Sequence, residues 1–284
     1  MDAAVARVED LISAPAAGRG DDTARGPSLN AAARIAARSF SLVLLLVAWE
    51  LIARSGKVTP FMLPPFSAVL VRIYDDAASG VLWTNLGLTL FRAMFGFFIA
   101  AAGGIALGAA MSRLRPVRWF FDPLISVGFP MPKIAFLPII MLWLGVYDVS
   151  KISMVVFDAI FPVVTATLAG LAAVDKELIW SARNMGAREH ELIWQVALPA
   201  ALPQILTGLQ VALPIALIVE IVVEMAMGGY GLGAAMMSAS RFADSRGVFA
   251  GIVEVAIIGY ALIKAMTAIR RRLLLWHHEA QAAL

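Results

Sequence analysis

Six long apolar stretches, at roughly 36–53, 85–111, 119–146, 152–173, 200–226 and 248–269, dominate this chain of 284 residues. About 20 apolar residues in a helix cross the hydrocarbon core of a bilayer, and each stretch is near or above that length once tilt is allowed. Hydrocarbon offers the backbone no hydrogen-bond partners, so such segments have to be helical or part of a closed barrel. With 61% apolar and 15% charged residues, the composition lies well outside the soluble range of about 45–50% and about 25%. The expectation is an all-α integral membrane protein with six transmembrane helices. Pro130, Pro132 and Pro138 interrupt the third stretch, and proline removes a helix hydrogen bond, so that crossing is expected to be kinked or broken.

Several chemistries are missing from the sequence. There is no cysteine, and His190, His277 and His278 fall in polar segments without metal-ligand spacing, so neither a catalytic residue nor a metal ligand is assigned. No GxxxxGK[ST] loop is present to cradle nucleotide phosphates. The glycines Gly228, Gly229, Gly231 and Gly233 lack the preceding strand of a dinucleotide fingerprint and are read as an extracytoplasmic turn. Residues 1–35 carry no apolar run and are expected to form a disordered cytoplasmic arm ahead of a membrane domain over 36–284, with its core at 84–272. The first apolar run starts too late, at Phe40, for a cleaved signal peptide.

The formal charge of +3 is informative by placement. With the amino terminus cytoplasmic, Arg7, Arg19, Arg25, Arg34, Arg38, Arg113, Arg115, Arg118, Lys176, Arg183, Arg188 and Arg270 to Arg272 fall inside. Arg54, Lys57, Arg72, Lys151, Arg241 and Arg246 fall outside, while Arg92, Lys133 and Lys264 lie within spans. Fourteen against six favours both termini in the cytoplasm, and a membrane rather than nucleic acid as the partner of this charge.

Within the spans, Gly96, Ala100, Gly104, Gly108 and Ser112 recur every four residues, as do Gly208, Ala212 and Ala216. Such runs let helices approach closely in lipid, and packing inside one subunit is favoured over a subunit interface by about two to one. Glu220 and Glu224 continue the second run and share a helix face. Carboxylates at that depth are costly in hydrocarbon and have to face protein or water. With Lys133 and Asp158 they are the candidate lining of a translocation path; structural hydrogen-bonding roles for the two glutamates weigh about equally. Arg92 is a further buried charge able to pair with a carboxylate, whereas Glu50 and Glu254 read as structural.

Between the fourth and fifth stretches, residues 175–203 read DKELIWSARNMGAREHELIWQVALPAALP. Leu178, Ile179, Ala182 and Met185 have the spacing of one apolar helix face, Gly186 is placed to end that helix, and Arg188 to Val196 reads as a second short helix before Pro199 opens the next span. An amphipathic helix of this kind can seat its apolar side in a groove of a soluble partner.

This segment resembles the EAA loop of the inner-membrane permease subunits of bacterial ABC importers. The triplet is Trp180, Ser181 and Ala182, the glycine is Gly186, and the ending is Val196, Leu198 and Pro199. MLPPFSAVL (62–70), DPLISVGFPMPKIAFLPIIMLWLGV (122–146) and VVEMAMGGYGLG (222–233) are similar to the nitrate, sulfonate and taurine branch of that family. The resemblance covers roughly 60–272. It implies the type I (MetI-like) importer permease fold in the bacterial inner membrane, and a homodimer working with two cytoplasmic ATP-binding subunits and an extracytoplasmic solute-binding protein. It further implies that ATP and Mg belong to the ATPase, that this chain holds no cofactor and is no enzyme, and that the coupling loop 175–199 docks through Glu177, Trp180, Ser181, Ala182, Arg183, Gly186, Ala187 and Arg188. The cargo it implies is a small organic or inorganic anion such as a sulfonate, taurine or nitrate, with a thiamine precursor or an aromatic acid as alternatives. Trp180 departs from the family pattern by replacing its acidic residue, whose ion pair Glu177 is positioned to supply. An ion-coupled secondary transporter using Glu220, Glu224 and Lys133 is the competing reading, and the lack of an evident inverted repeat counts against it.

Overall fold

The computed structural model describes residues 31–275, and every regular element among them is helical. The arm expected over 1–35, as far as residue 30, lies outside the described residues, as do His277 and His278. The chain divides into two compact units, 1–49 and 50–284. The described part of the first is the beginning of α1 (Ala31–Arg54), a 24-residue helix over the first apolar stretch.

The second unit contains α2 (Phe66–Ala78), α3 (Val81–Arg113), α4 (Arg115–Gly128), a 3-10 turn at Lys133–Phe136, α5 (Leu137–Leu144) and α6 (Asp148–Ala172). There follow α7 (Lys176–Asn184), a short α8 (Glu189–Glu191), π-helical turns at Leu192–Ala197, α9 (Leu198–Met227), α10 (Leu232–Arg241) and α11 (Ser245–Leu273). Four helices are long and apolar enough to cross a membrane: α3, α6, the continuous run Glu189–Met227, and α11. A fifth crossing is available if α4 and the Lys133–Leu144 segment, bent by 99° at the Pro130–Pro132 break, count as one.

Packing decides that the bent pair crosses. A side chain on Gly96 would press on Val155, on Gly104 on Val163 and on Gly108 on Thr167, so α3 and α6 run parallel at close approach. The chain leaves α3 at Arg113 and has to return to the opposite end of the bundle before α6 starts at Asp148. Only residues 114–147 lie between, so they form a broken crossing rather than a loop that re-emerges on one side. The small-residue run of α3 is therefore used inside the subunit.

Helix α9 runs antiparallel to α6: Gly170 faces Ala201 and Gln204, and Gly208 faces Pro162 and Ala166. Phe97 and Ala100 of α3, Met154, Val155, Ala159 and Val163 of α6, and Leu206, Ala212, Leu213 and Ala216 of α9 share one buried core. Helix α11 returns along α9, with Gly259 beside Leu217 and Arg270 bonded to Gln210. Asp244 caps α11 by accepting from the Gly247 N–H at 3.1 Å and pairs with Arg72 of α2 at 2.5 Å. Burial alone would raise the Asp244 carboxyl; the Gly247 N–H and the Arg72 guanidinium outweigh it and hold the group below its ordinary value.

Candidate functional site

At the end of the bundle where α3 and α6 begin and α9 ends, four polar side chains meet. Asn85, Thr89 and Arg92 lie on one face of α3 at i, i+4 and i+7, and all are buried. Glu224 of α9 is fully buried and receives Arg92 Nη1 at 2.8 Å, the Thr89 hydroxyl at 2.9 and 3.0 Å, and the Gly233 N–H at 3.0 Å. Arg92 also reaches Asp148, in the first turn of α6, at 2.7 Å and the Tyr230 carbonyl at 2.7 Å. Lys151 Nζ donates to the Gly228 carbonyl at 2.9 Å, and the Gly231 N–H donates to Asn85 at 3.0 Å.

The glycine cluster therefore does more than turn the chain, as the sequence reading had it. Residues 228–233 fold over the Glu224 carboxylate, and a side chain on Gly231 would collide with its oxygens. Gly231 also has φ of 133°, which side chains rarely tolerate. Glu220, one turn earlier and fully buried, lies 4.0 Å from Arg92 Nη1. Arg92 thus has three carboxylates within 4.0 Å, those of Asp148, Glu224 and Glu220, and only the first two are hydrogen-bonded: both Glu220 oxygens are buried without a hydrogen-bond partner.

Lys133 and Asp158 stand apart from this network and pair with each other at 3.0 Å. The proline break brings this about. With the helix interrupted, the carbonyls of Phe129 and Met131 turn to Lys133 Nζ at 3.1 and 3.4 Å, and Nζ lies 4.8 Å from the Phe161 ring centre. Gly128 leaves room for Phe161 in turn. Of the four candidate path residues, Glu220 and Glu224 thus sit in one cluster and Lys133 and Asp158 in another.

The third feature is the loop after α6. Helix α7 ends in a Schellman motif: Gly186 has φ of 88°, its N–H donates to the Arg183 carbonyl at 3.0 Å, and the Ala187 N–H donates to the Ala182 carbonyl at 3.1 Å. Arg183 pairs with Glu189 at 2.6 Å, and the Glu191 carboxylate accepts the Arg188 N–H at 2.6 Å, tying the start of α8 to the end of α7. Glu177 and Ser181 are exposed, Ala182 is buried and Ala187 half-buried.

Two expectations about this loop need correction. The apolar face of α7 is split: Ile179 and Ala182 turn inward, whereas Leu178 and Met185 are exposed together with Trp180 and Trp194. The second helix is not separate, because Glu189–Met227 is continuous. No breaker stands between Val196 and Leu198, and Pro199 falls in the first turn of α9. A proline N cannot donate there, so the ladder shifts to π register across Leu192–Ala197 instead of ending.

Sequence reasoning missed Asn85, Thr89, Asp148 and Lys151. The first two were detectable as a polar stripe with Arg92. Lys151 was placed in an outer loop but is buried, because the α9–α10 turn supplies its carbonyl partner from far along the chain.

Comparison with known proteins agrees with this architecture. Residues 100–275 match the model of the binding-protein-dependent transport system inner membrane component family. The taurine transport system permease protein TauC of Escherichia coli (strain K12) is 35% identical over 246 residues, covering 85% of this chain and 90% of the relative. A putative aliphatic sulfonates transport permease protein, SsuC of Bacillus subtilis (strain 168), is 31% identical over 83% of this chain and 86% of the relative. Among solved structures, the MetNI methionine ABC transporter in an inward-facing form shares the fold with a TM-score of 0.53 at 21% identity, over 72% of this chain and 96% of that one. An amino acid ABC transporter does so with 0.55 at 19%, over 72% and 95%. The chain belongs to the binding-protein-dependent transport system inner membrane component family: it is a multi-pass inner-membrane permease subunit of an ABC importer, and not an enzyme.

Proposed function

We propose that this permease imports a small organic anion of the sulfonate class, driven by ATP that a separate cytoplasmic subunit hydrolyses. The observation that carries the reading is the loop 175–197, which sets Leu178, Trp180, Met185 and Trp194 outward on a rigid frame continuous with α9. Exposed apolar side chains held in fixed geometry suit a cleft on a soluble partner. A push on the loop passes directly into α9, which packs along α6 and α11.

In this reading two copies of the chain assemble with two ATPases and a solute-binding protein, and both termini face the cytoplasm. Trp180 stands where the family has an acid, so docking rests on apolar contact more than on an ion pair. The relatives named for taurine and aliphatic sulfonates support the cargo class.

The test replaces Trp180 by Ala and Gly186 by Val in the complete importer. Space around Gly186 is open, so the cost of valine comes from its positive φ. Both variants are expected to reach the membrane in normal amounts, to lose most ATPase copurification and to cut sulfonate uptake about tenfold or more. Normal uptake by both would overturn the docking role.

A further inference from the structure

We propose that Glu220 is a proton-binding site, and that the proton it holds keeps the turn 228–233 closed over the buried polar cluster. The site concerns how this end of the permease opens and is independent of which cargo the importer carries.

Unpartnered atoms are the first observation. Glu220 is fully buried in α9, about two turns before the helix ends at Met227, and neither of its carboxyl oxygens has a hydrogen-bond partner. An ionised carboxylate buried without a donor is strongly unfavourable, whereas a neutral carboxyl brings a donor of its own. Glu224, one turn on, is the opposite case. Arg92, the Thr89 hydroxyl and the Gly233 N–H all donate to it, while the Thr89 oxygen accepts the Leu232 N–H at 2.9 Å. That set of donors suits an anion and marks Glu224 as the charged member of the pair.

Charge is the second observation. The charged groups facing Glu220 are Glu224 of its own helix, Arg92 of α3 and Lys151 of α6, and Asp148 of α6 shares Arg92. Residues 228–240 add no charged side chain, and the ring of Tyr230, their one titratable group, is exposed. From α11, Glu254 faces Asp76 and Arg72 instead, and Lys264 lies over Tyr260. Arg92 and Lys151 therefore stand against Glu224 and Asp148. An ionised Glu220 would leave one unbalanced negative charge in the cluster, and a proton on it brings the sum to zero.

The turn supplies the third. Its Gly231, Leu232 and Gly233 N–H groups bond to Asn85, Thr89 and Glu224, and its Gly228 carbonyl accepts from Lys151. Opening the turn breaks these bonds and admits water to Glu220, where the carboxyl can ionise. Closure is thus linked to the uptake of one proton, so acid favours the closed form and rising pH the open one. With a single proton released, the ratio of closed to open falls by at most about tenfold per pH unit.

The test takes the permease–ATPase complex in lipid nanodiscs and reads it in two ways. Infrared difference spectra of wild type against Glu220→Gln, recorded near neutral pH, are expected to show a protonated-carboxyl stretch that the variant lacks. Its absence would mean an ionised Glu220 and overturn the site. Hydrogen exchange of residues 228–233, divided by the intrinsic rate at each pH, follows the turn itself. Wild type is expected to lose about tenfold or more of its protection between about pH 6 and about pH 9, whereas Glu220→Gln, neutral throughout, keeps it. Protection in wild type that is flat with pH, or the same pH dependence in the variant, overturns the latch. Wild type alone decides the matter if the variant does not assemble: the carboxyl band has to fade over the pH range in which 228–233 loses protection, and a band that persists while protection is lost overturns the link.

Discussion

Arg92 is the residue whose loss should be felt most. Its guanidinium joins α3 to α6 through Asp148, to α9 through Glu224 and to the following turn through the Tyr230 carbonyl. Removing one partner of a buried pair leaves an uncompensated charge, at a cost of about 3–5 kcal/mol. Arg92→Met is therefore expected to destabilise by that order, and R92M/E224Q to recover at least half of it. Reversible unfolding in mixed micelles measures both, and strictly additive losses would show that the two groups are not coupled. Sequence pattern carried part of this. Glu220 and Glu224 share a face because they are four residues apart, and Asn85, Thr89 and Arg92 form a stripe for the same reason. Which charge meets which was beyond it, since Arg92 and Glu224 are 132 positions apart and only the helix packing joins them.

Elements were the more legible scale. Gly186 ended its helix where its type demanded, and the Pro130–Pro132 break appeared as a 99° bend. The π turns at Leu192–Ala197 were illegible, because nothing in those side chains marks the change of register and it follows from fitting Pro199 into a continuous helix. The close contact of α3 and α6 supplies the prediction here. A side chain on Gly104 would lie 2.7 Å from Val163 Cβ and 3.2 Å from the Ile160 carbonyl, so there is backbone as well as side chain in the way. Gly104→Val is expected to force the helices apart and cost about 1–3 kcal/mol. Its companion Gly103→Val, beside only the tip of Ile160 at 3.6 Å, should be nearly silent. Equal thermal stability of the two variants in detergent would contradict the packing.

At the scale of the whole molecule, the parallel pair α3 and α6, the antiparallel α9 and the returning α11 sort the described cations between two ends. Arg113, Arg115, Arg118, Lys176, Arg183, Arg188 and Arg270 to Arg272 gather at the end that carries the loop 175–197. The other end holds fewer, and two of these are neutralised or hidden: Arg72 is paired with Asp76 and Asp244, and Lys151 is buried. The bias that the bare sequence offered is thus sharpened by the fold, in line with the cytoplasmic placement proposed for the loop end. Because the chain contains no cysteine, single cysteines can report sidedness directly. Met185, 79% exposed in the loop, and Phe242, 83% exposed between α10 and α11, stand at opposite ends. In intact spheroplasts a membrane-impermeant maleimide is expected to label Phe242→Cys at once and Met185→Cys only after permeabilisation. The reverse pattern would invert the orientation, and prompt labelling of both would contradict the number of crossings between them.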